Sequence, residues 1–285
     1  MFDRISNGFS MAKSSWRVIM NDKKLLWFPV VSGILFVLVS ASFLVPLGIL
    51  FDQNKLLDAN GNPRIWCYAI LFAFYFATYF VIIFCNAALV SCTLLHFNGE
   101  NPTLGDGFRT AMARLPQILA WALVSASVGL LLKAIESVHE KLGEILSSLL
   151  GSAWSIMTYF VVPILVVEKV GPFEAVSRSV KLMKQTWGEA LAGKIGMGLF
   201  LFLLAIPIIL LLVLGGVLVA QPQMQAVGIA LLVVGGLAML WYMAVSSAMS
   251  TVLATAVYQF ASSDRIPDGF DRESIARAFQ GRKRN

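Results

Sequence analysis

Residues that could carry chemistry are few in this chain, and most lie at the ends of long hydrophobic segments. An amide, a carboxylate that follows a proline, and hydroxyls on one late segment are the candidates for a polar or solute pathway: Asn86, Pro163, Glu168, Ser246, Ser250 and Thr251. Polar groups within apolar segments either bond to a neighbouring helix or line a wet path. The residue types alone leave both interpretations open.

Glu168 is the most informative candidate, because this carboxylate stands at the end of an apolar segment and is followed by basic residues. Pro163 lies five residues earlier, and a proline leaves a helix carbonyl in need of another partner. One hypothesis is a structural ion pair in which Glu168 binds Arg178 or Lys194 and fixes the next helix to the bundle. The other hypothesis is that Glu168 belongs to a solute or ion site.

Motifs for metal binding and catalysis are weak. Cys85, Cys92 and His96 share one face of a helix, but ligands one or two turns apart on a straight helix cannot surround a tetrahedral metal ion. The pair at 139–140 lacks the second histidine of a His-Glu-x-x-His site, since Gly143 occupies that position. We therefore expect no metal, no cofactor and no enzymatic activity.

The elements that position these residues follow from where charge is absent. The chain is 58% hydrophobic and 13% charged, and no Asp, Glu, Lys or Arg occurs in 25–51, 65–99, 115–132, 145–167 or 195–263. About 20 apolar residues in a helix cross the hydrocarbon of a bilayer. The last stretch holds two such lengths, separated by a turn at 220–223. We predict six spans, at about 26–50, 66–95, 117–134, 150–168, 195–219 and 225–258.

Three amphipathic segments precede the odd-numbered spans, and each has an apolar stripe that steps by four, three and four residues. The stripes are Ile5-Phe9-Ala12-Trp16, Leu104-Phe108-Ala111-Leu115 and Val176-Val180-Met183-Trp187. This spacing places each stripe on one face of an α-helix, with basic residues on the opposite face. We predict an all-α integral membrane protein built from three parallel repeats, each a cytoplasmic interfacial helix followed by a transmembrane hairpin.

Helix-start signals support this interpretation. Thr103 followed by Asp106 has the spacing of a capping box, and Gly171-Pro172 followed by Glu174 is typical of a helix start. Residues 52–64 predict a polar loop, and residues 135–149 predict a short helix on the outer surface. The polar segment around 268–279 predicts a final surface helix.

Charge counting predicts the orientation. Of the 22 Lys and Arg residues, 18 lie on the side that carries the termini and the three stripes. The positive-inside rule then makes both termini cytoplasmic, next to anionic lipid. We predict one membrane domain over 1–259, with repeats at about 1–97, 98–170 and 171–259, and a basic cytoplasmic tail over 260–285. The net charge of +6 is explained by these cytoplasmic residues, so we expect no nucleic-acid partner.

Three segments carry a resemblance to known proteins: Asn86–Val90, Pro163–Glu168, and Gly171–Ala175 with the Ser177-Arg178-Ser179 that follows. On these the chain resembles an uncharacterised family of six-span bacterial inner-membrane proteins. It is also similar to the membrane domain attached to some glycerophosphodiester phosphodiesterases. The resemblance implies the six-span architecture and the bacterial inner membrane. It implies no hydrolase activity, because the matching segments contain no catalytic motif.

Two functions follow from the sequence. In the first, the protein organises lipid or a membrane-protein partner, as the basic stripes and the uncharged span centres indicate. In the second, the protein is a passive channel or permease for a small solute or a lipid-like molecule, and the candidate pathway residues line its path.

Overall fold

The protein is helical throughout the part that its computed structural model describes, which is residues 2–49, 65–138, 140–263, 267 and 270. Helices make up 90% of the structure, and these ranges contain no strand. The all-α prediction is thereby confirmed. The predicted loop at 52–64 and the predicted tail helix lie outside the described residues, as do the side chains of Ile5 and Trp187.

The helices follow the hydrophobic segments and the cap signals closely. In chain order they are α1 (Phe2–Asn21), a 3₁₀ turn (Lys23–Leu26), α2 (Trp27–Ile49), α3 (Ile65–Phe97), α4 (Leu104–Ala113), α5 (Leu115–Val138), α6 (Glu140–Met157), α7 (Val161–Glu168), α8 (Pro172–Gln185), α9 (Trp187–Val219) and α10 (Gln225–Ser263). We call α1, α4 and α8 the surface helices, because they contain the predicted stripes apart from two residues. The prediction that each stripe lies on one helix is wrong for Leu115 and Trp187, which begin the next helices, α5 and α9.

Six segments of the described chain are long and apolar enough to cross a membrane. They are Lys23–Gly48, Trp66–Phe97, Leu115–Glu136, Gly143–Glu168, Lys194–Val219 and Gln225–Ser263. The turn predicted at 220–223 separates α9 from α10. The structure therefore confirms the six predicted segments and indicates a multi-pass membrane protein.

The predicted outer helix over 135–149 is wrong. Helix α5 continues to Val138, and α6 runs from Glu140 to Met157 as part of the fourth span. The charged residues of this region are good helix formers and do not end a helix. Gly143 allows the close return, because a Cβ at this position would lie 2.6 Å from the carbonyl oxygen of Ile135. The segment is thus the tight end of a helical hairpin, in which Trp121 of α5 stacks on Trp154 of α6.

The chain divides into two compact units. The first comprises residues 1–29, 93–101 and 185–285. Within it, α1 packs on both α9 and α10, and these two helices pack on each other. The backbones of α1 and α9 meet at Gly8 and Gly196, where a side chain on Gly196 would overlap Gly8. Trp16 of α1 lies between the rings of Phe200 and Trp241.

The second unit comprises residues 30–92 and 102–184. Here α4 packs on α3: the rings of Phe84 and Phe108 stack at 6.0 Å, and Cys92 Sγ donates to the carbonyl of Thr103 at 3.4 Å. Helices α3 and α5 meet where Gly129 faces Tyr79, whose hydroxyl would lie 3.2 Å from an added Cβ. Helix α8 is fixed to α7 by contacts described below.

A small buried residue occupies the same position in each surface helix. It is the residue before the second member of each stripe: Gly8 in α1, Gly107 in α4 and Ser179 in α8. A small side chain lets two helix backbones approach closely. Each surface helix also contacts membrane helices other than those of the hairpin that follows it: α4 packs on α3, α8 packs on α7, and α1 packs on α9 and α10.

Candidate functional site

The fourth span is broken into two helices at residues 158–160. Pro163 explains the position of the break, because its ring excludes the carbonyl four residues earlier, that of Tyr159. At the break, the Tyr159 N–H donates to the carbonyl of Ile156 at 3.3 Å, three residues back and not four as in an α-helix. Pro163, a candidate pathway residue, therefore acts on the backbone geometry of the span.

The backbone freed by this break bonds to a side chain from α8. The Phe160 N–H donates to Ser179 Oγ at 3.1 Å, and both residues are 0% exposed. A buried N–H without an acceptor would cost free energy, so this hydroxyl stabilises the interrupted geometry. Ser179 thereby joins the start of α7 to the middle of α8.

The other end of α7 is held by Arg114, the C-cap residue of α4, which directly precedes α5. Arg114 Nε donates to the carbonyl of Val166 at 3.0 Å, which satisfies one of the carbonyls exposed at a helix C-terminus. Lys169 then ends the helix in the left-handed conformation, with φ 58°. Basic groups at this end also interact favourably with the helix dipole. Both ends of α7 are therefore bonded to neighbouring elements.

Glu168 lies beside this end and forms an ion pair with Arg178. One guanidinium nitrogen of Arg178, Nη1, contacts Glu168 Oε2, and Nη2 donates to Glu174 Oε1 at 2.7 Å. The hydrogen bond with Glu174, followed by the charge of Glu168, raises the pKa of Arg178 above its ordinary value. The Glu168 side chain is 20% exposed and that of Glu174 is 53% exposed. Of the two glutamates that pair with Arg178, Glu168 is thus the better shielded from solvent.

We call these contacts between α7 and α8 the elbow: Phe160 with Ser179, and Arg178 with Glu168 and Glu174. The elbow brings together two residues selected from the sequence, Glu168 and Arg178, and Pro163 lies on α7 between the two ends that the elbow holds. Lys194, the alternative partner of Glu168, is an exposed residue of α9 in the first unit. Asn86 is half-buried on α3.

The candidate hydroxyl residues of the sixth span, Ser246, Ser250 and Thr251, lie on α10, where the hydroxyls of Ser250 and of the nearby Thr255 bond to their own helix. Ser250 Oγ donates to the carbonyl of Ser246 at 2.9 Å, and Thr255 Oγ1 donates to that of Thr251 at 2.7 Å. Bonds to the carbonyl four residues back satisfy hydroxyls without a neighbouring helix or water. Ser246 and Thr251 are half-buried, and Ser250 is exposed.

The capping box predicted at the start of α4 is confirmed. The Asp106 N–H donates to Thr103 Oγ1 at 3.3 Å, and the Thr103 N–H donates to Asp106 Oδ2 at 2.9 Å. The hydrogen bond from the Thr103 side chain, together with that from its backbone, lowers the pKa of Asp106 below its usual range. The predicted start of α8 is likewise confirmed, at Pro172.

Sequence reasoning missed Ser179 and Arg114 as partners of α7. It also placed the buried stripe of α8 one step away: the buried residues are Ala175, Ser179 and Met183, whereas Val176 and Val180 are half-buried. The available signal was the small residue that recurs at the position of Ser179 in α1 and α4. A search for hydrophobic stripes selects apolar residues, so it does not select a small polar residue such as Ser179, even where that residue makes the closest contact.

Metal ligands do not gather in the part of the chain that the structure describes. There, no three His, Cys, Asp or Glu side chains are placed so that they could hold one ion. Cys85 and Cys92 are buried thiols outside any disulfide.

Comparison with known proteins gives one match. Residues 65–268 match a family described as a family of unknown function, DUF6159. No curated protein and no solved structure matches the chain. The matched segment runs from the start of α3 to beyond the end of α10 and so contains the elbow. Because it covers more than half of the sequence, the protein belongs to this family of unknown function.

Proposed function

We propose that this protein is a non-catalytic, multi-pass protein of the bacterial inner membrane that organises anionic lipid at its cytoplasmic face. The observation that carries the proposal is that all three surface helices expose basic side chains. These are Lys13 and Arg17 on α1, Arg109 on α4, and Lys181 and Lys184 on α8. The buried faces of these helices pack on α9 and α10 (for α1), on α3 (for α4) and on α7 (for α8), and the cations lie on the exposed faces.

The charge distribution supports the orientation in this proposal. The surface helices, the residues that flank them and the C-terminal segment hold 18 of the 22 Lys and Arg residues. Such an excess is typical of cytoplasmic segments, and the anionic lipids of that leaflet attract basic residues at about 1 kcal/mol each. Both termini are therefore proposed to be cytoplasmic.

The three-repeat architecture is part of the same proposal. Two observations support it: the small buried residue at one shared position, and the packing of α4 and α8 on the helix that directly precedes each of them. Two spans return a chain to the side of the membrane from which it left. Three such repeats in sequence would therefore begin on one side, with the cations of each surface helix toward the same leaflet.

A shared structure with the membrane domains of glycerophosphodiester phosphodiesterases is a further part of the proposal. Two of the segments that carry the similarity, 163–168 and 171–175, form α7 and the start of α8. If the structure is shared, those domains should have a fourth span that is broken four residues before the matching proline. An experimental structure of one such domain would test this.

Lipid retention by the purified protein tests the function. Native mass spectrometry of the full chain should detect more retained phosphatidylglycerol than phosphatidylcholine. Replacing the five exposed basic residues with Gln should reduce phosphatidylglycerol binding by about fivefold per residue at most. Equal retention of the two lipids, or no change in the five-residue variant, would overturn the proposal. A protein that co-purifies in place of lipid would instead favour a membrane-protein partner.

A second candidate function, a passive channel or permease, is favoured by the break in the fourth span. Interrupted membrane helices often mark substrate or ion sites, because their free backbone groups can contact a ligand. In this candidate Asn86, Pro163 and Glu168 line a path in the second unit, and the α10 hydroxyls are a separate candidate path in the first unit.

Thiol accessibility on α10 tests this candidate. Cysteines introduced at 246, 250 and 254 should react with water-soluble thiol reagents if a wet path runs along α10. Leu237→Cys is the control, since Leu237 is an exposed apolar residue of the same helix. Three unreactive positions, together with no solute flux in proteoliposomes, would exclude a path along α10.

A further inference from the structure

Helix α8 has an apolar edge that the described residues of its own unit leave exposed. Its buried edge consists of Ala175, Ser179 and Met183. Next to it lie Val176 and Val180, which are half-buried, and Phe173, which is 79% exposed. We call Phe173, Val176 and Val180 the open flank of α8. No other large hydrophobic residue in the described chain has so exposed a side chain as Phe173.

Basic residues border the open flank on one side. At 3.6 residues per turn, the order around α8 is the buried edge, the open flank, then Lys184 and Lys181. Both lysines are exposed. The ion pairs of Arg178 occupy the opposite side of the helix. An apolar strip beside lysines matches the boundary between acyl chains and anionic headgroups.

The chain keeps α8 at the membrane surface. Three residues, 169–171, join α8 to α7, and the elbow contacts hold the two helices together. Since α7 belongs to a candidate span that ends at Glu168, α8 begins directly after the end of that span. Lipid is therefore the neighbour that the open flank would meet first.

The other surface helices show how specific this arrangement is. In α4 the same order recurs: buried Gly107, half-buried Phe108, exposed Met112 and then exposed Arg109. In α1 the corresponding flank is covered instead, because Trp16 contacts rings of α9 and α10. An open apolar flank beside cations is thus a property of α4 and α8, and it is largest on α8.

We propose that the open flank of α8 is seated at the acyl–headgroup boundary of anionic phospholipid, with Lys181 and Lys184 bound to lipid phosphates. This inference rests on the proposed function and assigns it a site. It differs from general attraction to the membrane surface, because it requires contact at one side of one helix.

Photo-crosslinking tests the apolar half of the site. A benzoylphenylalanine residue replaces Phe173 in the full chain, reconstituted in phosphatidylglycerol-containing nanodiscs. The control carries the same residue at Gln185, which is exposed on another side of α8. We expect lipid adducts at 173 and at least fivefold fewer at 185. Equal lipid labelling at the two positions, no lipid adduct at 173, or adducts to protein alone would overturn the proposal.

Charge removal tests the polar half. The double variant Lys181→Gln with Lys184→Gln should weaken phosphatidylglycerol binding, by about fivefold for each lysine. Lys133→Gln is the matched control, because Lys133 is exposed but already paired with Glu136 at 3.1 Å. If the five-residue variant loses lipid while the double variant does not, the proposed function stands and the α8 site is wrong. If neither variant loses lipid, both are wrong.

Discussion

Ser179→Ala should destabilise the protein by leaving the backbone at the break of the fourth span without its acceptor. The substitution removes one oxygen and keeps the side chain small, so it creates almost no cavity. The lost bond is neutral and 3.1 Å long, and both of its residues are 0% exposed. A buried N–H left unpaired costs about 1–3 kcal/mol, and a neutral bond near the long end of the normal range favours about 1–2 kcal/mol.

Ser177→Ala is the matched control, because Ser177 is exposed on the same helix two residues away. Unfolding of the purified full chain by SDS titration should give a lower free energy for Ser179→Ala, and a change within about 0.5 kcal/mol for Ser177→Ala. Hydrogen exchange adds a local readout, since the Phe160 amide should exchange faster only in the first variant. Equal stability of the two variants, with unchanged exchange at Phe160, would refute the role assigned to Ser179.

Three further predictions concern other contacts. Gly196→Ala should lower the free energy of unfolding by about 1–3 kcal/mol, because its methyl group would overlap the facing helix α1. Gly198→Ala is the control and should be neutral or stabilising, since nothing lies within 4 Å of an added Cβ at that position. The pKa of Asp106 is lowered from 3.8, so its cap stabilises α4 at neutral pH, and this stability should disappear as the pH falls through that lowered pKa. Asp106→Asn should lack this pH dependence in acid unfolding titrations. Glu168→Gln should lower the free energy of unfolding more than Glu174→Gln does, since Glu174 is the more exposed partner of Arg178. In SDS titrations the loss for Glu174→Gln should be at most about 0.5 kcal/mol.

Each of these comparisons can fail in a distinct way. If Gly196→Ala and Gly198→Ala have the same stability, the helix crossing at Gly196 is looser than the structure has it. If the wild type and Asp106→Asn lose stability in parallel with acid, the cap contributes nothing through its carboxylate. If Glu174→Gln is the more damaging glutamate variant, the shielded ion pair is not the one that holds the elbow.

The spans were predictable because a charge inside hydrocarbon is costly, so stretches free of Asp, Glu, Lys and Arg mark them directly. The starts of α4 and α8 were predictable from local cap signals at Thr103 and Pro172. The helix boundary near residue 140 was not predictable, because the helix-forming charged residues of this region also fit a separate short helix over 135–149. Ser179 was not predictable either, since its role depends on Phe160, nineteen residues away in sequence, and on a break that Pro163 causes.

The offset packing of the surface helices gives the chain an order of assembly. Helices α4 and α8 follow the hairpins on which they pack, so each can dock as soon as it has been synthesised. Helix α1 is made first, yet its partners α9 and α10 are made last. Its Trp16 therefore stays without the rings of Phe200 and Trp241 until the final hairpin is in place. We therefore expect α1 to be the last surface helix to be fixed, and its contact through Gly8 and Gly196 to complete the fold.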